Sequence, residues 1–325
     1  MRPFEYIKPK DSKEALRSKT PTGAYIAGGT NLVDLLKKNI AVPHQVLDVT
    51  QALSDSIALK RGGIEIGAMV RNTTAAINPA ILEQFPLVSK AILAGASPQI
   101  RNMASIGGNL LQRTRCPYFY DTSLPCNKRA PGSGCGAYDG ENRMSAVIGY
   151  SADCVAVHPS DLCVALAALD ATVVVQDAKG KKKSILFKDF HRLPESTPQQ
   201  DNTLPEGALI SEVHIPKNAF HKHTAYLKIR DRDSYAFALV SVAAALQIDG
   251  NRIVAARLAS GGVAHKPWRW LAAEQFLAGK EANATVFAEA AALAVQDIQP
   301  LARNAFKVDM LKGAIETALQ EALQA

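Results

Sequence analysis

The spacing of apolar positions divides the chain into many short strands and helices. Residues 24–27 form a brief apolar run that Gly28-Gly29 interrupts, and Thr30 stands where it can cap a helix with Leu32, Leu35 and Leu36 on one face. Residues 45–50 and 63–70 predict strands. Residues 75–96 predict helical material broken near Pro79 and Pro86, and 97–112 predict a loop with a second glycine pair, Gly107-Gly108. A helix capped by Ser160 is expected over 161–170, then strands over 172–176 and 184–187, a polar linker or lid over 194–205, and a strand over 209–215. A second unit is expected to begin near His221. It holds a strand over 225–230, an apolar run over 236–248, an Asp249-Gly250-Asn251 turn into a strand over 252–259, and an alanine-rich helical tail from Leu271. The turn marks a hairpin.

At about 150 residues per domain, 325 residues agree with two such units, 1–220 and 221–325. A hydrophobic share of 47% and a charged share of 21% exclude a disordered chain. The formal charge of +7 raises the question of nucleic acid, but aromatic residues make up only 6% and the basic residues are scattered. The densest basic run, Lys179-Gly180-Lys181-Lys182-Lys183, reads as a solvated hairpin tip. No run of about 18 apolar residues is present, so no membrane span is expected. Residues 1–18 are charged and lack an apolar signal core. The expectation is a chain without its own export signal: cytoplasmic by itself, or exported while docked to a partner that carries one.

The five cysteines all fall between Cys116 and Cys163. Cys116, Cys126, Cys135 and Cys154 are separated by nine, eight and eighteen residues. Four thiolates suit an iron–sulfur cluster or zinc, but the close pairs usual for structural zinc are missing. The segment around them, about 113–155, is rich in Gly, Pro, Asn and Arg and cannot build a core of its own, so bound metal would order it. Arg113, Arg115, Lys128 and Arg129 offset thiolate charge. Cys163 sits among Leu162, Val164 and Leu166 and reads as a buried core thiol.

Two glycine turns, at Gly28-Gly29 and at Gly107-Gly108, let backbone approach a phosphate, and the pair suits a long diphosphate ligand. Asp161 after Ser160 either caps a helix or accepts ribose hydroxyls. Lys228 and Arg230 share one strand face, as a charged edge or as a cation turned into a cleft between units. His158 reads as structural, and His221 and His223 as exposed. No Ser/His/Asp grouping, paired carboxylates or general base stands out, which points to cofactors as carriers of the chemistry. A stand-alone oxidase acting through a bound cofactor would need its own base and substrate pocket; a zinc-binding module needs neither.

Ala27-Gly28-Gly29-Thr30, Ile100-Arg101-Asn102, Ser105-Ile106-Gly107-Gly108-Asn109, Ser160-Asp161, Lys228 with Arg232, and Gly261-Gly262-Val263-Ala264 together resemble the FAD-binding subunit of the xanthine dehydrogenase family of molybdenum hydroxylases. The resemblance implies an α+β fold: a vanillyl-alcohol-oxidase (PCMH)-type FAD domain of two subdomains, and a C-terminal domain of antiparallel sheet and helices. It implies non-covalent FAD on Ile26, Ala27, Gly28, Gly29, Thr30, Asn31, Leu32, Val33 and Asp34, with Arg101, Ser105, Gly108, Asn109, Asp161 and Lys228 as further contacts. The cysteine loop is similar to that of two subgroups with an additional [4Fe–4S] cluster, the medium subunit of 4-hydroxybenzoyl-CoA reductase and the FAD subunit of periplasmic aldehyde oxidoreductases. Thr114-Arg115-Cys116-Pro117-Tyr118-Phe119-Tyr120, Pro125-Cys126-Asn127-Lys128-Arg129 and Gly132-Ser133-Gly134-Cys135 resemble the aldehyde subgroup more. That implies cluster ligation by Cys116, Cys126, Cys135 and Cys154. It also implies an oxidoreductase heterotrimer with a molybdenum-cofactor large subunit and a [2Fe–2S] small subunit, delivering electrons to an external acceptor. Its location would be the periplasm, reached by co-export.

Overall fold

The computed structural model describes residues 1–325. The chain opens with strand β1 (Glu5–Ile7), helix α1 (Ser12–Ser18), strand β2 (Gly23–Ile26), helix α2 (Leu32–Lys37) and strand β3 (Gln45–Asp48). The strands lie in the order β1-β3-β2, both outer strands parallel to the centre. Parallel neighbours need a crossover, and the two helices provide it. Asp11 caps α1 by accepting the Glu14 N–H at 2.8 Å. The start of α2 differs from expectation: Thr30 is not its cap. Asn31 holds that position without a side-chain cap bond, because its Oδ1 accepts the Arg113 N–H at 2.8 Å.

Strands β4 (Ile57–Lys60) and β5 (Gly63–Gly67) lead into α3 (Asn72–Ala76), α4 (Pro79–Gln84), α5 (Pro86–Ala94), α6 (Pro98–Met103) and α7 (Ile106–Leu110). Pro79 and Pro86 are helix starts, where a missing N–H goes unnoticed. The loop expected over 97–112 is instead α6 and α7. Ser97 and Ser105 cap them, accepting N–H bonds from Ile100 and Gly108. Two single-turn helices, α8 (Pro117–Tyr120) and α9 (Gly136–Asp139), interrupt the cysteine segment. Then follow α10 (Asp161–Ala168), β6 (Thr172–Gln176), β7 (Lys182–Leu186), α11 (Phe187–Phe190) and β8 (Leu209–Pro216). Ser160 caps α10 as expected, accepting the Cys163 N–H at 3.0 Å. Strands β4-β5-β8-β6-β7 form a five-stranded antiparallel sheet whose Ile64, Ile66, Val173 and Val213 share one core with α5 and α10.

The remainder is β9 (His223–Ile229), β10 (Val240–Asp249), β11 (Arg252–Gly261), β12 (Trp268–Arg269), α12 (Leu271–Leu277), α13 (Ala284–Val295) and α14 (Phe306–Gln324). The sheet order is β12-β11-β10-β9, all antiparallel, and the expected hairpin is β10–β11. Residues 240–246 are buried without a break. Ala243 and Ala245 face the first core, whereas Val242, Ala244 and Leu246 face a second core built with α12, α13 and α14. A sheet covered on both sides reads as an unbroken apolar run, and the alanines let α5 and α10 approach closely.

Helix α14 also reaches the cysteine segment. Lys307 is fully buried and its Nζ donates to the Ser145 and Gly262 carbonyls, each at 2.9 Å. Burial pushes this amine down to about 7. Asn304 Nδ2 donates to the Ser145 and Ala146 carbonyls, and the Arg303 N–H to Asn142 Oδ1.

Candidate functional site

A cleft of about 790 Å³ opens between the β2–α2 turn, the α6–α7 turn, the start of α10, and β9 with the segment after it. Cofactor pockets reach this size, and a few placed polar groups orient what they hold. In the β2–α2 turn the N–H groups of Gly28, Gly29, Thr30 and Asn31 have no acceptor within the protein. Gly29 makes the turn in the left-handed region, φ +72°. Four consecutive free amides beside a cleft form a cradle for anionic oxygens.

The second glycine turn differs. The N–H groups of Ile106, Gly107 and Asn109 are taken by the Val70, Ala68 and Ser105 carbonyls, and that of Gly108 by Ser105 Oγ at 3.2 Å. It provides wall rather than donors. The two turns touch backbone to backbone: a Cβ on Gly28 would lie 1.9 Å from the Met103 carbonyl oxygen. Arg71 donates to that same carbonyl.

Asp161 and Lys228, far apart in sequence, meet inside the cleft. Lys228 Nζ donates to Asp161 Oδ2 at 2.8 Å, with side-chain exposures of 4% and 9%. Tyr226 Oη donates to Asp161 Oδ1 at 2.8 Å. Burial, then the Asp161 charge, drives the Tyr226 phenol well above its usual range, so it stays a donor. Lys228 and Arg230 both reach the Ala94 carbonyl at the end of α5, and Arg101 holds the Gly95 and Ala96 carbonyls beside it. Cations thus satisfy a helix C-terminus and shape the cleft wall. Asn109 accepts from Ser160 Oγ at 2.5 Å, joining α7 to α10.

Of the residues expected around FAD, Ala27, Gly28, Gly29, Thr30, Asn31, Leu32, Asp34, Arg101, Ser105, Gly108, Asn109, Asp161 and Lys228 line the cleft. Ile26 and Val33 do not: both side chains pack beside Gly29, where its Cβ would be, away from the opening. Residues not expected to contact FAD also line it, among them Arg115, Tyr235 and Phe237 on the rim. Arg115 stacks over the Phe237 ring at 5.1 Å.

The four loop cysteines line a single small cavity with Lys128 and Phe119. Cys126 pairs with Cys135 in an isolated antiparallel bridge, and Ser151 with Cys154 in another. Asn127 organises the loop. Its Oδ1 accepts from the Gly132 and Gly134 N–H groups, and its Nδ2 donates to Asp153. Arg129 gathers the Tyr118, Phe119 and Leu124 carbonyls. Burial, reinforced by neighbouring cysteines, pushes the Cys116 thiol up to about 11 and the Cys154 thiol up to about 12, while Lys128 opposes it at Cys154.

Lys128 is buried and donates to Asp201 Oδ1 at 2.5 Å and to the Pro198 carbonyl at 2.7 Å. Arg113 Nε reaches Asp201 Oδ2 at 2.7 Å. Burial alone would raise the Asp201 carboxyl, but Arg113 and Lys128 outweigh it and hold it at about 2. The segment read as a linker or lid is therefore a strap tied to the cysteine loop. Nothing in the sequence marked Asp201, 73 residues from Lys128. Cleft and cavity are neighbours: Leu35 of α2 packs with Phe119 and Cys126, and Asn31 bonds Tyr120 as well as Arg113.

Cys163 is fully buried in the first core, outside that cavity. It lies with His158 and His191, whose rings meet edge to face at 4.4 Å between centroids. Burial holds His158 well below its usual range and His191 at about 4, so both are neutral packing groups.

The Asp161–Lys228 pair supports a stability prediction. Lys228→Met leaves a buried carboxylate facing only Tyr226, and breaking such a pair costs about 3–5 kcal/mol. Denaturant unfolding is expected to show a large loss for Lys228→Met and a smaller one for Lys228→Met with Asp161→Asn. Equal losses would show that the charge pairing is not what the cleft wall depends on.

Residues 2–218 match the family described as FAD binding domain in molybdopterin dehydrogenase, and residues 225–322 match CO dehydrogenase flavoprotein C-terminal domain. The chain is 47% identical to the aldehyde oxidoreductase FAD-binding subunit PaoB of Escherichia coli (strain K12), over 99% of each chain. It is 26% identical to the glyceraldehyde dehydrogenase medium chain of Sulfolobus acidocaldarius, over 91% of this chain and 89% of that one. Among solved structures, quinoline 2-oxidoreductase from Pseudomonas putida 86 superposes with a TM-score of 0.75 at 23% identity, over 99% of this chain and 98% of that one. Carbon monoxide dehydrogenase from Hydrogenophaga pseudoflava superposes with a TM-score of 0.77 at 22% identity and the same coverage. The α+β fold with a PCMH-type FAD domain and a flavoprotein C-terminal domain is therefore the architecture found.

Proposed function

The chain belongs to the FAD-binding medium subunits of the molybdenum hydroxylase family of oxidoreductases, and from that premise we propose that it is the FAD- and [4Fe–4S]-binding electron-transfer subunit of a heterotrimeric molybdenum-dependent aldehyde oxidoreductase. It receives electrons from a molybdenum-cofactor large subunit through a [2Fe–2S] small subunit and delivers them to an external acceptor, as aromatic aldehydes become carboxylic acids. The full-length identity to PaoB supports the aldehyde assignment. The observation that carries the reading is the adjacency of two places: four free amides on the large cleft, and a small cavity lined by four thiols, joined through α2.

When bound, FAD supplies the exchange between two-electron and one-electron chemistry, and the cluster supplies one-electron storage. The chain's own residues do the rest. The amides of residues 28–31 hold the diphosphate, Asp161 and Lys228 fix the charge of the cleft wall, and Cys116, Cys126, Cys135 and Cys154 hold the cluster. Sulfurs on one zinc would stand about 3.8 Å apart, from a Zn–S bond of about 2.3 Å. No three of these sulfurs come within 4.8 Å of one another, which supports a larger group.

No helix is long and apolar enough to cross a membrane. We place the complex in the periplasm, reached fully folded and docked to a signal-bearing partner.

The test is purification of the chain alone and with co-expressed partners. The assembled complex is expected to contain flavin and iron and to oxidise aldehydes with a dye acceptor, while the isolated chain shows essentially no turnover. Turnover by the isolated chain would overturn the electron-relay reading. Deleting the partner's signal is expected to retain this subunit in the cytoplasm.

A further inference from the structure

The cysteine cavity has an asymmetric electrostatic wall. Lys128 lines it with a side chain only 1% exposed. Asp201 stands behind Lys128, outside the cavity, and is shared with Arg113. Of the other charges near the loop, Arg129 is spent on main-chain carbonyls and Arg115 lies over Phe237 on the cleft rim. Asp153 borders the cavity as well, but it is exposed and accepts from Asn127 Nδ2, and Arg113, the partner of Asp201, stacks on the Phe119 ring. Lys128 and Asp201 are therefore two opposite charges at different depths from the same four sulfurs, in surroundings where water screens them weakly.

We propose that Lys128 and Asp201 set the reduction potential of the thiolate-held cluster in opposite directions, Lys128 raising it and Asp201 lowering it. The inference rests on the [4Fe–4S] reading above. Each electron the cluster accepts makes the site one charge more negative. A buried cation beside the sulfurs stabilises that state over the oxidised one, and a carboxylate opposes it. Net charge, sulfur surroundings and exposure are the means by which a protein sets such potentials. Lys128 is nearer, so its effect is the larger. The strap over 194–205 contains no strand or helix. Its tie to Lys128 through Asp201 and Pro198 makes it part of the redox site.

The experiment is a potentiometric titration of the assembled complex, followed by electron paramagnetic resonance, with iron and acid-labile sulfide measured on each sample. Lys128→Gln is expected to shift the cluster midpoint to more negative potential, Asp201→Asn to shift it to more positive potential, and Lys128→Arg to stay near wild type. A merely structural role would not give shifts of opposite sign from two groups in one ion pair. If Lys128→Gln does not load iron, the sign of the Asp201→Asn shift decides. Iron-replete variants with unmoved midpoints, or shifts of the same sign, would overturn the inference and leave the cluster assignment standing. A wild-type complex without iron would overturn the assignment itself, and the inference with it.

Discussion

Serine in place of Cys116, Cys126, Cys135 or Cys154, one at a time, is expected to strip the iron from the assembled complex, and Cys163→Ala is expected to keep it. The four thiols line one cavity, and burial holds Cys116 at about 11 and Cys154 at about 12. Without metal Cys116 and Cys154 are therefore neutral thiols whose protons loading must take, and the bound metal adds to the order of the segment. A serine hydroxyl is a far poorer partner for iron, so one missing thiolate opens the cluster. Iron and labile sulfide per flavin should fall several-fold in all four variants. Flavin should fall less, since the loop reaches the cleft only through contacts such as Leu35 with Phe119. Cys163 packs in the first core, and its truncation leaves a cavity costing about 1 kcal/mol. Full iron in any of the four serine variants, or iron loss in Cys163→Ala, would refute the ligand set.

Gly28→Val is expected to abolish flavin retention. From sequence, this glycine is there to let amides approach a phosphate. The structure adds a stronger reason: any Cβ at Gly28 would sit 1.9 Å from the Met103 oxygen and 2.6 Å from its carbonyl carbon. Both atoms are backbone, and Arg71 braces that carbonyl, so the two turns must separate. Overpacking costs about 1–3 kcal/mol where side chains can shift; here the backbone itself must move, and the cradle at residues 28–31 moves with it. A loss of FAD affinity on the order of 100-fold, equivalent to about 2.8 kcal/mol, is expected. Gly108→Ala is the milder comparison, because its Cβ would meet Ser105 Oγ at 3.0 Å and the Ala27 Cβ at 3.9 Å. Flavin titration of the purified complex checks both. Gly28→Val with normal flavin would remove this turn from the site.

The parts of the fold that were legible from sequence carry local signatures. Pro79 and Pro86 mark breaks in the helical stretch, which the structure resolves as helix starts, and Ser160 marks a cap, because their chemistry acts within one turn; the Asp249-Gly250 turn marks its hairpin. Helices α6 and α7 were missed because five or six residues show no period; only the capping serines, Ser97 and Ser105, hinted at them. Strand β1 was missed as well, since it is three residues long and largely exposed, and its pairing with β3 is dictated by the tertiary fold. In the candidate site, the glycine turn and the cysteines were visible as residue types in a pattern. The Asp161–Lys228–Tyr226 contact was not, because it joins the start of a helix to a strand from the other sheet. Nor was the ion triad of Arg113, Lys128 and Asp201, whose acid lies in a stretch that looks like plain linker.

The anchoring of residues 142–146 by Arg303, Asn304 and Lys307 bears on how the chain is made. Synthesis runs from the N-terminus, and units fold in the order in which they emerge. All four cysteines are therefore out of the ribosome well before the residues that pin the far end of their loop. Until residues 304–307 arrive, Ser145 and Ala146 lack the side-chain donors that hold their carbonyls in the folded chain. On the cluster reading proposed above, metal capture in the native arrangement thus waits until residues 303–307 have been made. A nascent chain, or one truncated before Arg303, keeps all four cysteines and still lacks this clamp on their segment.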